Sequence, residues 1–337
     1  MTRTPHGVSD AAIPHLRRLI HAPEATRLVS AAVRGRSHPW LARGEGPLEV
    51  QAVMVVRGHP GSRWTLRYTI RQGGETRILI AKVYARDRGD VATTLAALGR
   101  GGFGHGQPLQ VTVPIAYVPA LHLLLEEEAP GQAARAGLRG GLPGVGERTA
   151  RWLAAFHVAA PSLPAAYQLR DPMIKARHWT QTLRRHAPAL TEDGRHLLAA
   201  LTEARPPWPP RPHLVHGDFN ASHVYLATET TTVIDWDTWG VGDGAEDAGR
   251  FLASLHHLAV RDPAHRGAVA QAAATFTRTY QSAVPLAGGS LAFYAALACL
   301  QKAARLSADG RPQRRRRTAL LLAAGAQALA VDHGPVV

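Results

Sequence analysis

The chain has 337 residues, enough for about two domains of ~150 residues, and 45% of them are hydrophobic, so a sizeable core is available. No stretch approaches the ~20 consecutive apolar residues of a membrane span. The start, "MTRTPHGVSD", lacks the apolar segment of a secretory signal, and Cys299 as the single cysteine excludes an intramolecular disulfide or a multi-cysteine zinc site. A soluble cytoplasmic protein is expected.

The 39 Lys and Arg exceed the 25 Asp and Glu by 14 charges. These cations are spread along the chain, which suggests an anionic small partner such as a nucleotide more than a nucleic acid. Only Arg314–Arg317 form a run. Standing before "TALLLAAGAQALAV", the run reads as the solvated start of a helix, although cations there oppose the helix dipole.

Residues 1–45 read as a helical extension, with apolar residues at helical spacing in "AAIPHLRRLI" and "EATRLVSAAV". From 46 to 129 the texture is that of a sheet. The runs "LEVQAVMVVRG", "SRWTLRYTIR" and "TRILIAKVY" are separated by the turn chemistry of "HPG" and "QGGE". A short helix, "GDVATTLAALGR", and two more strands, "VTVPIAYVP" and "LHLLLEEEAPG", complete a mostly antiparallel sheet. Near Pro130 the chain enters a Gly/Ala/Arg-rich boundary stretch, "GQAARAGLRGGLPGVG". The rest, 130–337, is mostly helical, apart from the proline-rich loop "ARPPWPPRP" and three short extended pieces, "HLVHGD", "HVYLA" and "TTVIDWD". The layout is α+β: a small sheet lobe followed by a larger helical lobe with a polar loop between short strands.

Three positions carry chemistry. Lys82, one of only three lysines, stands in the apolar strand "ILIAKVY". It is either an edge-strand lysine facing solvent or a compact ammonium aimed at a phosphate. Asp218 and Asp235 each end a short apolar run, 17 residues apart, which is enough for one loop and a hairpin to return the chain to the same place. Two carboxylates there suit a divalent cation or the removal of a substrate proton, while the bland alternative is that each caps a turn.

In combination, HGD and a following strand that ends in Asp resemble the aminoglycoside phosphotransferase and choline kinase group, small-molecule kinases with a two-lobed protein-kinase-like fold. The resemblance covers Leu48 to Leu258 and implies ATP and Mg2+ as cofactors and a hydroxylated small molecule as acceptor. It implies that Lys82 contacts phosphate, that "LLLEEEAPG" is the hinge that meets adenine, and that "WLAAFHVAA", with His157, precedes the catalytic loop. By the same resemblance Asp218 is the base, Asp235 the magnesium ligand and Asp247 structural.

The sequence departs from the family in three places. Five residues after Asp218 the family has a metal-binding Asn, where this chain has His223, leaving metal ligation, phosphate contact or simple packing open to it. Asn220 lies at the wrong offset to substitute. The helix after Lys82 contains no glutamate to orient that lysine, leaving Asp90 as a candidate, and the glycines of the phosphate cover reduce to Gly58 and Gly61. No GxxxxGK[ST], HExxH or GxSxG motif is present, and His256-His257 read as ordinary helix positions. The expected function is an ATP-dependent kinase acting on a metabolite or antibiotic hydroxyl. The alternative is a kinase-fold nucleotide-binding protein with weak or no turnover. A polycationic aminoglycoside would want an acidic pocket, which the excess of basic residues does not advertise.

Overall fold

A computed structural model describes residues 8–42, 46–159, 171–209, 212–309 and 311–331. Pro210 and Arg211 of the proline-rich loop, and the first seven residues, lie outside the described residues. The chain divides into two compact units, Met1–Pro130 and Gly131–Val337.

The first unit runs α1 (Leu16–Ile20), α2 (Ala22–Val33), α3 (Pro39–Ala42), β1 (Glu49–His59), β2 (Arg63–Gln72), β3 (Glu75–Tyr84), α4 (Gly89–Leu98), β4 (Leu109–Val111), β5 (Pro114–Val118) and β6 (Leu123–Glu127). Its five-stranded sheet has the order β1-β2-β3-β6-β5, with every neighbouring pair antiparallel. The β1–β2 hairpin closes with His59 opposite Arg63, and Gly61 supplies the left-handed residue of the turn at φ +75°. Asp10 ties that turn down, accepting from Gly61 N and Trp64 Nε1, each at 2.8 Å.

The strands alternate as a half-covered sheet should. Leu66, Tyr68 and Ile70 on β2 and Leu79, Ala81 and Val83 on β3 are fully buried and share a core with Leu19, Ala25 and Val29. The helices that the sequence places before the sheet therefore cover one of its faces, and Tyr68 Oη donates to Leu19 O at 2.9 Å. Period-two alternation puts Lys82, between Ala81 and Val83, on the opposite face.

The second unit runs β7 (Gln132–Ala133), α5 (Ala134–Arg139), α6 (Val145–Ala159), α7 (Pro172–His186), α8 (Thr191–Glu203), β8 (His213–Val215), β9 (Val224–Leu226), β10 (Thr231–Val233), β11 (Gly240–Gly242), α9 (Ala245–Arg261), α10 (Arg266–Ala283), α11 (Ser290–Ser307) and α12 (Pro312–Val331). The boundary stretch after Pro130 is thus structured, as β7 and α5. Helix α7 is not among the elements expected from the sequence. Its composition is polar, and it buries only a narrow stripe of Met173, Ala176, Thr180 and Leu183. Its start is nevertheless well marked, since Asp171 accepts from Met173 N at 2.9 Å and Pro172 occupies the first helical position.

Helix α11 is buried over most of its length and packs with α7, α8 and α12 residues into one apolar core. β9 and β10 form a hairpin with Val224 opposite Val233, and β8 pairs antiparallel with β11. No helix among the described residues is long and apolar enough to cross a membrane.

Candidate active site

In the first unit, Lys82 faces Thr65 on one side and Leu124 on the other in the strand register. Its side chain is 8% exposed, and its Nζ lies 3.4 Å from Oε2 of Glu126, itself 3% exposed. Glu126 is fixed in turn by Thr112, whose hydroxyl donates to Oε1 at 2.7 Å. Of the readings open for Lys82, the solvent-facing edge position is corrected: β3 is an interior strand and the lysine is buried. The orienting carboxylate therefore comes from β6, not from the helix after the lysine. Asp90 is engaged elsewhere, in a two-pronged bridge to Arg88 at 2.8 and 2.9 Å. A signal for Glu126 is present in "LLLEEEAPG", whose alternation puts Glu126 on the face opposite that of Leu125 and Glu127. What no sequence pattern supplies is the pairing of β6 with β3.

In the second unit, residues 216–223 form a loop between β8 and β9, and Asp235 follows β10. Each key aspartate precedes an aromatic anchor. Phe219 and Trp236 are fully buried, Phe219 stacked on Trp152 and Trp236 tilted against it, at centroid distances of 5.8 and 6.1 Å. With those rings fixed, Asp218 and Asp235 are set at the loop's polar side. Gly217 at φ +77° makes the turn, and a Cβ there would stand 2.2 Å from Thr238 O, so only glycine fits. Asp235 also has a left-handed backbone, at φ +67°. That conformation costs a non-glycine residue about 1–2 kcal/mol, and such strain collects at functional sites.

The loop backbone hangs on one carboxylate. Asp247, fully buried on α9, accepts from His216 N at 2.6 Å and from Gly217 N at 2.9 Å. His157 Nε2 lies 3.5 Å from the same carboxylate, and its Nδ1 meets the Tyr280 hydroxyl at 2.7 Å. Burial alone would raise the Asp247 pKa, but the His157 and His216 interactions hold it below the ordinary carboxylate value. The His216 tautomer follows from its partners. Its Nε2 lies 2.9 Å from Ile234 O and must donate, while Nδ1 accepts from Asp218 N at 3.2 Å.

His223 stands between the two key aspartates. Its Nε2 lies 3.4 Å from Asp235 Oδ2, and its Nδ1 lies 3.8 Å from Asp218 Oδ2. The same Nδ1 is 3.0 Å from both Asp218 O and Asn220 Nδ2. Asn220 is fixed by accepting from Ser222 N at 2.9 Å through its oxygen, so its amide hydrogens face His223 and Asp218 O. Nδ1 therefore either accepts from Asn220 or donates to Asp218 O, and the choice decides whether Nε2 is protonated toward Asp235. Burial pulls the His223 pKa below the ordinary histidine value despite the two carboxylates, so the ring is held neutral. Asn220, at the wrong offset to replace the family's asparagine, instead braces the histidine that stands there.

The structure thus brings Asp218, His223 and Asp235 together in the second unit and sets Lys82 against Glu126 in the first. Among the described residues, no group of three or more His, Cys, Asp or Glu side chains is arranged to hold a metal ion. Asp235 offers the carboxylate oxygen that magnesium prefers, whereas His223 offers only a nitrogen.

Residues 104–283 match the model of the phosphotransferase enzyme family (APH). No curated protein matches the chain significantly in sequence. Among solved structures, the chain is similar to a choline/ethanolamine kinase family protein from Mesorhizobium loti, with 15% identity over 92% of this chain and 99% of that one at a TM-score of 0.57. A spectinomycin phosphotransferase, APH(9)-Ia, solved with ADP and spectinomycin, aligns over 93% and 97% of the two chains at 10% identity and a TM-score of 0.59. A thermostable variant of the aminoglycoside phosphotransferase APH(4)-Ia, solved with ADP and hygromycin B, aligns over 85% and 96% at 17% identity and a TM-score of 0.57. At such identities the likeness is one of fold: the two-lobed α+β architecture of these kinases.

Proposed function

Since the chain belongs to the phosphotransferase enzyme family, we propose that it is an ATP-dependent kinase that transfers the γ-phosphoryl group to a hydroxyl of a small molecule. The observation that carries this reading is the placement of Asp218. Its neighbours are pinned by Asp247, Phe219 and His216, yet its own side chain remains 37% exposed, free to accept a proton from an acceptor hydroxyl. Lys82, oriented by Glu126, would neutralise and position phosphate oxygens. Asp235 would hold a magnesium ion together with those oxygens, and the ion would supply neutralisation of the charge on ATP. His223 would serve best as a neutral brace between the two aspartates, since its ring is committed to the loop and magnesium prefers oxygen. A dependence on ATP would place this work in the cytoplasm.

The test is magnesium-dependent release of ADP over a panel of hydroxyl compounds. Asp218→Asn is expected to keep nucleotide binding and to lose turnover by roughly 10²–10⁴-fold, as for removal of a general base. Asp235→Asn is expected to lose magnesium-dependent nucleotide binding as well. Equal and mild losses in the two variants would contradict this division of labour. The alternative, a nucleotide-binding protein without turnover, is favoured by His223 standing at the asparagine position. Binding of ATP by the parent with no acceptor phosphorylated would establish it.

A further inference from the structure

Tyr280 of α10 is fully buried, and two lines of contact run from it to the residues flanking Asp218. The first is polar. The Tyr280 hydroxyl lies 2.7 Å from His157 Nδ1 on α6, and His157 Nε2, also buried, lies 3.5 Å from Asp247 Oδ2 on α9. That oxygen accepts from His216 N at 2.6 Å, and its companion Oδ1 accepts from Gly217 N at 2.9 Å. The second line is apolar. The Tyr280 ring stacks on Phe276 at 5.9 Å, Phe276 leans on Phe251 at 4.5 Å, and Phe251 meets Phe219 at 5.8 Å. One residue of α10 thus stands behind both the amides that precede Asp218 and the ring that follows it.

The polar junction is built for close approach. Gly244, just before α9, has an ordinary helical backbone at φ −56°, so no left-handed turn demands glycine there. A Cβ at this position would stand 2.9 Å from His157 Nδ1 and 3.0 Å from Tyr280 Oη. The last glycine of "GDG" therefore makes room for the hydroxyl–imidazole pair, three residues before the carboxylate that the pair meets.

Hydrogen-bond accounting assigns the protons. Burial raises the Tyr280 pKa above the ordinary phenol value, so the hydroxyl keeps its hydrogen. Among the described residues, His157 Nδ1 is the only hydrogen-bond partner of that hydroxyl. A hydrogen on Nδ1 would have to be donated to Tyr280 Oη, leaving the phenolic hydrogen buried without an acceptor. In the neutral ring it would also leave a bare Nε2 with its lone pair toward the Asp247 carboxylate. If the hydroxyl donates instead, Nδ1 accepts and Nε2 carries a hydrogen toward Asp247. Only this second arrangement leaves no buried donor without an acceptor and no lone pair opposed to the carboxylate.

We propose that Tyr280 is a positioning residue for Asp218: its hydroxyl fixes the His157 tautomer, and His157 then orients the Asp247 carboxylate toward the two amides that set the loop. The consequence for turnover rests on the kinase reading above, whereas the hold on the loop does not. The role belongs to the hydroxyl, since a phenylalanine ring would fill the same space beside Phe276.

The test compares the full chain with Tyr280→Phe, which keeps the ring and its stacking and removes only the oxygen. In protein carrying isotope-labelled histidine, nitrogen NMR without nucleotide reads the His157 ring, whose signals are those lost in His157→Gln. The parent is expected to show a bare Nδ1 and a protonated Nε2, and Tyr280→Phe to move the hydrogen at least partly onto Nδ1. Hydrogen exchange at the His216 and Gly217 amides should quicken about tenfold in the variant, the effect of roughly one hydrogen bond. With ATP, magnesium and an acceptor, kcat should fall about tenfold at an unchanged KM for ATP, because Lys82 and Glu126 are untouched. Gly244→Ala, which crowds the same pair, should move the same signals in the same direction. A hydrogen on Nδ1 in the parent, or an unchanged tautomer and unchanged exchange in Tyr280→Phe, would overturn the proposal. So would a kcat equal to that of an active parent. A parent with the expected tautomer and exchange that releases no ADP with any acceptor would refute the kinase reading and leave the hold of Tyr280 on the loop standing.

Discussion

Lys82 and Asp218 are both charged residues set into apolar surroundings, but the two units hold them by different means. Lys82 is carried on an interior strand, with its neighbours fixed by register on both sides, and its charge is met by the buried carboxylate of Glu126 at 3.4 Å. Asp218 is carried on a loop, where the support comes from backbone amides gathered by Asp247 and from the aromatic anchors around it. In the first unit the counter-charge touches the side chain itself. In the second it touches the backbone and leaves the side chain open. On the function proposed above, a phosphate-binding cation would need only a fixed position, whereas a base would have to exchange a proton with a visiting hydroxyl, and the two forms of support differ in that sense.

The comparison breaks most visibly at Asp247. Asp247→Ala should remove the acceptor of two buried amides at a cost of about 1–3 kcal/mol each, with the loop and turnover lost together. Thermal unfolding and ADP release would both register it, and an unchanged melting temperature would show that the loop does not depend on this carboxylate.

A smaller effect is expected in the first unit. Glu126→Gln keeps the acceptor for Thr112 but removes the counter-charge of Lys82, and should weaken ATP binding by about tenfold, equivalent to ~1.4 kcal/mol. Asp90→Asn, which touches the bridge to Arg88, should leave ATP affinity as it is. Calorimetric titration of both variants would reverse the assignment if Asp90→Asn proved the weaker binder.

The smallest effect concerns His223. Its folded pKa lies below that of the unfolded chain, so in acid the unfolded chain takes the proton first. Stability is then complete above the ordinary histidine value of about 6.5 and falls as the pH drops below it. His223→Asn should flatten that part of the stability profile in metal-free buffer, and with magnesium present it should change turnover at neutral pH by only a few-fold. Parent and variant profiles that coincide between pH 4 and 7 would remove His223 as a source of acid sensitivity.

Much of the fold and of the site is legible in the amino-acid sequence. The β-rich runs "TLRYTIR" and "ILIAKVY" announce strands, and the apolar approach of "HLVHGDF" ending at HGD announces a polar turn at a strand's mouth that carries Asp218. These features are local: they depend on backbone preferences and on the period of a strand, which neighbouring residues set among themselves. That is why Lys82, Asp218 and Asp235 stand out in the sequence. Helix α7 does not, because its buried stripe is narrow and its composition polar, so the periodic signal is weak against its many charges. Other features belong to tertiary structure alone. The pairing of β6 with β3 delivers Glu126 to Lys82 across 44 residues of chain, and the packing of α9 against the loop of Asp218 delivers Asp247 and Ser254 to its backbone amides. Strand order and helix contacts are decided by how apolar faces fill a common core, and the charged residues on the opposite faces meet as a consequence.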